Sequence, residues 1–185
     1  MTETTVLADL APAARNFVLY WGDMGSQWGV NRSVSQIHAL LYLSGRPLTA
    51  EEIAETLGLA RSNVSNSIRE LQGWGLIRRV PVAGDRRDFF EADADVWSIA
   101  SKIVDGRKQR ELDPALAALD ACVEEAKGDA RLDPVALQRL RAMQEFTRTM
   151  SGWYGQMTAV PRPTLMALIK LGARIAGFLP GKKVK

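Results

Sequence analysis

One cluster of side chains has the types and spacing to read the edge of a nucleic-acid base. Ser62, Asn66 and Arg69, flanked by Asn63 and Ser65, fall within R-S-N-V-S-N-S-I-R-E-L, which begins at Arg61. At about 100° per residue, these steps of three and four gather them on one face of a helix. Short amides and hydroxyls donate and accept hydrogen bonds, and a guanidinium donates them, so the face can address base edges. A second cluster is the adjacent pair Arg86 and Arg87 in A-G-D-R-R-D. Two neighbouring guanidiniums suit phosphates or a narrow, electronegative minor groove. Asp85 is placed to hold an arginine rather than to touch a polyanion itself.

The surrounding sequence supplies the elements that position these groups. In L-T-A-E-E-I-A-E-T-L-G-L, Thr49 and Glu52 have capping-box spacing, with Leu48 and Ile53 as a hydrophobic staple. Ile53, Ala54 and Leu57 form the inner stripe of this short helix, and Gly58 ends it in a tight turn. A second helix runs from about Ala60 to Gly73, with Val64, Ile68 and Leu71 inward. Two short helices joined by a glycine also occur in helical proteins that bind nothing. The next residues decide between these readings. Leu76–Val82 and Asp88–Glu91 read as strands, with Ala83 to Arg87 as the hairpin between them. A hairpin behind a helix-turn-helix is a wing. From Arg61 to Arg87 there are six arginines against two acids, Glu70 and Asp85. The preceding helix carries Glu51, Glu52 and Glu55, so the positive field is confined to the second helix and the wing.

These stretches, together with G-W-G-L-I-R-R and the D-x-R arrangement of Asp85 and Arg87, resemble the MarR-like winged-helix transcriptional regulators, and among them the GbsR branch. The resemblance runs from about Phe17 to Ala126. It implies a homodimer that binds double-stranded operator DNA, acting as a repressor, with affinity set by a small effector. The residues themselves place the expected DNA contacts at Arg61, Ser62, Asn63, Ser65, Asn66, Arg69, Arg86 and Arg87. Position 60 departs from the pattern: Ala60 stands where such proteins often place a capping serine. Ser62 or Asn63 is then expected to satisfy the first N–H groups of the helix.

A chain of 185 residues with a net charge of +3 makes one compact domain or a domain with helical extensions. The charge is uneven. Arg162, Lys170, Arg174, Lys182, Lys183 and Lys185 lie in a terminal segment without acids, and the remainder carries 18 basic against 21 acidic residues. The single cysteine, Cys122, allows no intrachain disulfide and reads as buried filler beside Leu119, Val123 and Ala126. No signal peptide and no apolar run of membrane-spanning length is legible, so a cytoplasmic protein is expected.

Residues 1–32 read as an N-terminal dimerisation helix, starting at an Asp9 cap. Its stripe is Leu10, Ala14, Phe17, Trp21, Met24 and Trp28, with Gly22, Gly25 and Gly29 on another face for close approach or a soft end. Residues 33–92 form the winged domain, whose first helix buries Val34, Ile37, Leu40 and Leu41. Residues 93–160 form the C-terminal dimerisation helices. In the first of these, Val96, Ile99 and Ile103 face inward, and Asp113-Pro114 breaks or kinks it. In the last, Ala136, Leu140, Met143, Thr147, Met150, Tyr154 and Met157 form a coiled-coil-like seam widened by Phe146 and Trp153, read as core. Residues 161–185 read as a basic amphipathic helix and tail, buried on the partner subunit rather than on a membrane surface.

The fold class is therefore mainly α with a small β-hairpin wing, a winged helix-turn-helix flanked by dimerisation helices. No catalytic constellation, phosphate loop or cofactor motif is present, and His38, the only histidine, lacks partners at metal-ligand spacing. The chain does not read as an enzyme. A winged helix that binds a protein instead of DNA is the alternative. The resemblance also implies a choline-like effector. A quaternary ammonium would need aromatic faces, and Tyr20, Trp21, Trp97 and Trp153 are the candidates, with core packing as the competing role.

Overall fold

The computed structural model describes residues 10–172. Asp9 as a cap, and Arg174 and the terminal lysines as a basic tail, lie outside the described residues. Two units are distinguished, residues up to Gly106 and residues from Arg107 onward.

In the first unit, helix α1 (Pro12–Gln27) packs on α2 (Arg32–Leu43) through glycines. A β-carbon on Gly25 would lie 1.9 Å from Ser35 Oγ, and one on Gly22 would lie 2.6 Å from Gln36 Cγ. Close approach is therefore what these glycines provide. The buried line of α1 is Val18, Gly22 and Gly25, not the aromatic stripe expected from the sequence. Phe17 and Trp21 are half-buried at its flank, and Trp28 is exposed. The heptad pattern picked the largest apolar side chains, whereas the tightest contact needed the smallest. Asn31 caps α2 by accepting from the Ser33 N–H at 2.9 Å. Val34, Ile37, Leu40 and Leu41 then enter the core with Ile53, Leu57, Val64, Ile68 and Leu71 from the next two helices.

Strand β1 (Leu48–Thr49) leads into α3 (Ala50–Leu57), and α4 (Arg61–Gly73) follows. Strands β2 (Ile77–Val82) and β3 (Asp85–Ala92) make the hairpin. The sheet is antiparallel in the order β1-β3-β2, with Leu48 opposite Phe90 and Thr49 opposite Phe89. Two residues are too few to show an alternating pattern, so β1 is not legible in the sequence. The hairpin is also tighter than expected. Val82 pairs with Asp85, leaving Ala83-Gly84 as the turn, with Gly84 at φ +81°. Arg86 and Arg87 lie on β3, not in a loop. Pro81 sits at an irregularity between Val80 and Val82, where a missing N–H does no harm. Helix α5 (Val96–Arg107) is capped by Asp95, which accepts from the Trp97 N–H at 2.9 Å. Ile99 is buried, while Val96, expected inward, is exposed.

After α5, Asp113-Pro114 does not break the chain. Asp113 keeps helical geometry (φ −66°, ψ −43°), and a π-helical turn, Lys108–Leu112, precedes helix α6 (Asp113–Ala126). A proline ring crowds the carbonyl four residues back, which is Arg110, and a widened π turn relieves that crowding within the helix.

In the second unit, α6 packs on α7 (Pro134–Ala159). Asp133 caps α7 through the Val135 N–H at 2.6 Å, with Pro134 in the first turn. Asp120 of α6 accepts from Gln144 Nε2 at 2.7 Å and Arg148 Nη2 at 2.6 Å. Val123 and Thr147 are the buried residues among those described in this unit. Much of the seam expected as core is open: Met143 is 56% exposed, Phe146 63% and Trp153 54%. Cys122 is likewise exposed, not buried filler. Helix α8 (Arg162–Leu171) leaves Ile169 and Leu171 exposed. Among the described residues, no helix is long and apolar enough to cross a membrane.

Candidate nucleic-acid interface

The platform under the interface is α3. Glu52 accepts from the Thr49 N–H at 2.7 Å, and the Glu52 N–H donates to Thr49 Oγ1 at 3.2 Å, completing the capping box. Arg46 Nη2 donates to the same carboxylate at 2.6 Å and holds its pKa below the ordinary range. Gly58, at φ 64° and ψ 30°, turns the chain toward α4.

Helix α4 buries Val64, Ser67, Ile68 and Leu71 and exposes Arg61, Ser62, Ser65, Asn66 and Arg69. The inner and outer faces match the sequence expectation. The cap does not: Ala60 is the N-cap and no side chain satisfies the first turn. Asn63 is engaged elsewhere. Its Nδ2 donates to Ser33 Oγ of α2 at 2.9 Å, and Ser67 Oγ donates to its Oδ1 at 3.4 Å. On the outer face, Arg69 Nη2 donates to Asn66 Oδ1 at 2.9 Å. The α4 N-terminus, free of a side-chain cap, leaves its N–H groups to solvent or to an anion.

The wing's four arginines have different surroundings. Arg78 pairs with Glu91 and Arg79 with Asp88, each at 2.5 Å. Arg87 is held by Asp85, with Nη2 to Oδ2 at 2.5 Å and Nε within reach of both oxygens, and its guanidinium lies 5.4 Å from the Phe89 ring centre. The hydrogen bonds from Arg87 lower the Asp85 pKa to about 2. The arginine-holding role read for Asp85 is what the geometry shows. Arg86 is exposed and makes no ion pair with a carboxylate among the described residues. Behind the wing, Asp93 accepts from Lys102 Nζ at 2.8 Å and Ser98 Oγ at 2.5 Å, fixing α5 to the end of β3. Those bonds, the Lys102 one foremost, hold Asp93 well below the usual carboxylate range.

The effector candidates are dispersed. A cavity of about 180 Å³ in the first unit is lined by Phe17, Trp21, His38, Ala39, Tyr42, Val96 and Ile99. Trp21 lines it and stacks on Phe17 with ring centres 5.4 Å apart. Tyr20 and Trp97 are exposed and do not line it, and Trp153 belongs to the second unit. Tyr42 and His38 complete the wall, and neither is among the effector residues expected from the sequence. Their one-turn spacing on α2, beside the Ile37–Leu41 stripe, was the available signal. His38 is buried, its Nε2 has no hydrogen-bond partner among the described residues, and burial lowers its pKa to about 4. No group of three or more His, Cys, Asp or Glu able to hold a metal ion occurs among the described residues.

Residues 28–88 match the family model described as the MarR family. This segment is therefore similar to the MarR family. The matched segment covers the helix pair and most of the wing, and so all eight candidate DNA-contact residues. Over 102 residues, 55% of this chain and 54% of the relative, the chain is 24% identical to the HTH-type transcriptional repressor GbsR of Bacillus subtilis (strain 168). It is 24% identical over 70 residues to the putative HTH-type transcriptional regulator YvaV of the same organism, covering 38% of this chain and 40% of that protein. It is 23% identical over 70 residues to that organism's HTH-type transcriptional repressor OpcR, covering 38% of each. The matches thus span about half or less of these relatives' lengths. A crystal structure of a transcriptional regulator superposes with a TM-score of 0.61 at 24% identity, over 78% of this chain and 95% of that one, and establishes a shared fold.

Proposed function

We propose that this chain is a sequence-specific DNA-binding transcriptional regulator that acts as a homodimer in the cytoplasm. The observation that carries the reading is the outer face of α4. Arg61, Ser62, Ser65, Asn66 and Arg69 are exposed together on a helix whose opposite face is locked into the core. Such a helix enters the major groove, and Arg86 on the wing reaches phosphates or the neighbouring minor groove. Repression is the proposed sign of regulation, because GbsR and OpcR are both named repressors.

The homodimer is supported by the second unit. A helix of 26 residues exposes Met143, Phe146, Met150 and Trp153 at steps of three and four, an apolar stripe of the kind that a second copy of the chain would cover. The chain is further proposed to be ligand-responsive, with the cavity between α1, α2 and α5 as the effector site. Phe17, Trp21 and Tyr42 offer it aromatic faces, which suit a choline-like cation. Selection of bound fragments from the source genome tests the regulatory reading. Recovery of a common inverted repeat supports it, and recovery of unrelated fragments at equal frequency defeats it.

A further inference from the structure

Two neighbours on the outer face of α4 are joined by a hydrogen bond, and the bond bears on which base they read. Arg69 Nη2 donates to Asn66 Oδ1 at 2.9 Å across an i,i+3 step. An asparagine that presents both its amide oxygen and its amide nitrogen matches adenine, which donates from N6 and accepts at N7. Here the oxygen is turned toward the guanidinium. The bond leaves the Nδ2 amide of Asn66 and the remaining N–H groups of Arg69 for other partners, and these only donate. Ser62 and Ser65, exposed beside them, can donate as well as accept. Glu70, the one acid of α4, lies about 100° round the helix from Arg69.

We infer that Asn66 and Arg69 act as one donor unit that reads guanine, with Arg69 both contacting the base and fixing the amide of Asn66. Guanine presents N7 and O6 side by side, two acceptors on one major-groove edge, and no other base offers that pair. The inference rests on the DNA-binding reading and names the base class its central residues take. It also makes the two residues interdependent. Without Arg69 the amide of Asn66 turns freely, and without Asn66 the guanidinium loses the partner that holds it in plane.

The test uses the full-length protein and a sequence recovered by selection, with each base pair of a half-site varied in turn. The wild type is expected to prefer G·C at one position by about tenfold or more. Arg69→Ala and Asn66→Ala should each abolish that preference at the same position, and the double variant should lose nothing further. Replacing that guanine with 7-deazaguanine should weaken the wild type and leave Arg69→Ala unaffected. Both side chains are exposed, so unchanged thermal melts will show that the variants fold. A preference for adenine that depends on Asn66, or additive losses at two separate base pairs, overturns the paired reading while leaving DNA binding intact. A selection that recovers no common sequence overturns both.

Discussion

Asn63 Nδ2 donates to Ser33 Oγ at 2.9 Å, so a polar residue at the start of α4 is bound to the helix behind it. The bond joins α4 to α2 across 30 positions of sequence, and Ser67 closes it from the next turn. Asn63→Ala should therefore cost stability, about 1 kcal/mol, as expected for one partly buried hydrogen bond. It should weaken binding equally on specific and random DNA. Denaturant titration and paired binding curves check this. A loss confined to the specific site would show that Asn63 reads bases.

The wing yields a ranking. Arg86 makes no ion pair with a carboxylate among the described residues, whereas Arg87 is already neutralised by Asp85. Arg86→Ala should weaken binding to all sequences and flatten the plot of log affinity against log salt by about one unit of slope. Arg87→Ala should do less. Asp85→Asn, which releases Arg87, should tighten binding to random DNA. Equal losses for both arginines, with no gain from Asp85→Asn, would contradict the ranking.

His38 gives a pH dependence with a definite sign. Burial lowers its folded-state pKa to about 4, from 6.5 in the unfolded chain. Between those values the unfolded chain binds more protons than the folded one, so stability falls as pH drops through that window. The contribution is full above about pH 6.5 and is lost by about pH 4, on the order of 3 kcal/mol in all. Asp93 and other paired carboxylates also lose stability in acid, so the comparison is with His38→Asn, which cannot titrate. Denaturation midpoints from pH 4 to 7 should fall more steeply in the wild type. Parallel curves would mean that His38 is solvated.

The exposed face of α7 predicts assembly. Phe146→Glu together with Trp153→Glu should convert a dimer to monomers at micromolar concentration, read by light scattering. Operator affinity should fall with it, because two half-sites are then no longer bound together. A wild-type protein that is monomeric under these conditions would remove the homodimer from the account.

What the sequence disclosed divides along physical lines. The capping box of Thr49 and Glu52, the Gly58 turn and the inner face Val64-Ile68-Leu71 depend on neighbours a few residues away, so spacing reveals them. The tie between Asn63 and Ser33 and the pairing of Thr49 with Phe89 join distant segments, and no local pattern carries them. The aromatic stripe of α1 misled for a related reason. Periodicity ranks side chains by size, while Gly22 and Gly25 pack by lacking one. In the same way the hairpin is tighter than its sequence suggests, because Asp85, Arg86 and Arg87 have the composition of a loop while Val82 pairs with Asp85. Met143, Phe146 and Trp153 have the spacing of a core seam, and a single chain leaves them uncovered.

The central claim is that α4 and the wing bind DNA by sequence, and one titration tests it most directly. Affinity for a fragment recovered by genomic selection is compared with that for random DNA of equal length at several salt concentrations. The account predicts that log affinity falls linearly with log salt on both DNAs, and that the selected fragment stays tighter by about 1,000-fold or more near physiological salt. Equal affinity for the two DNAs, or association insensitive to salt, would contradict it.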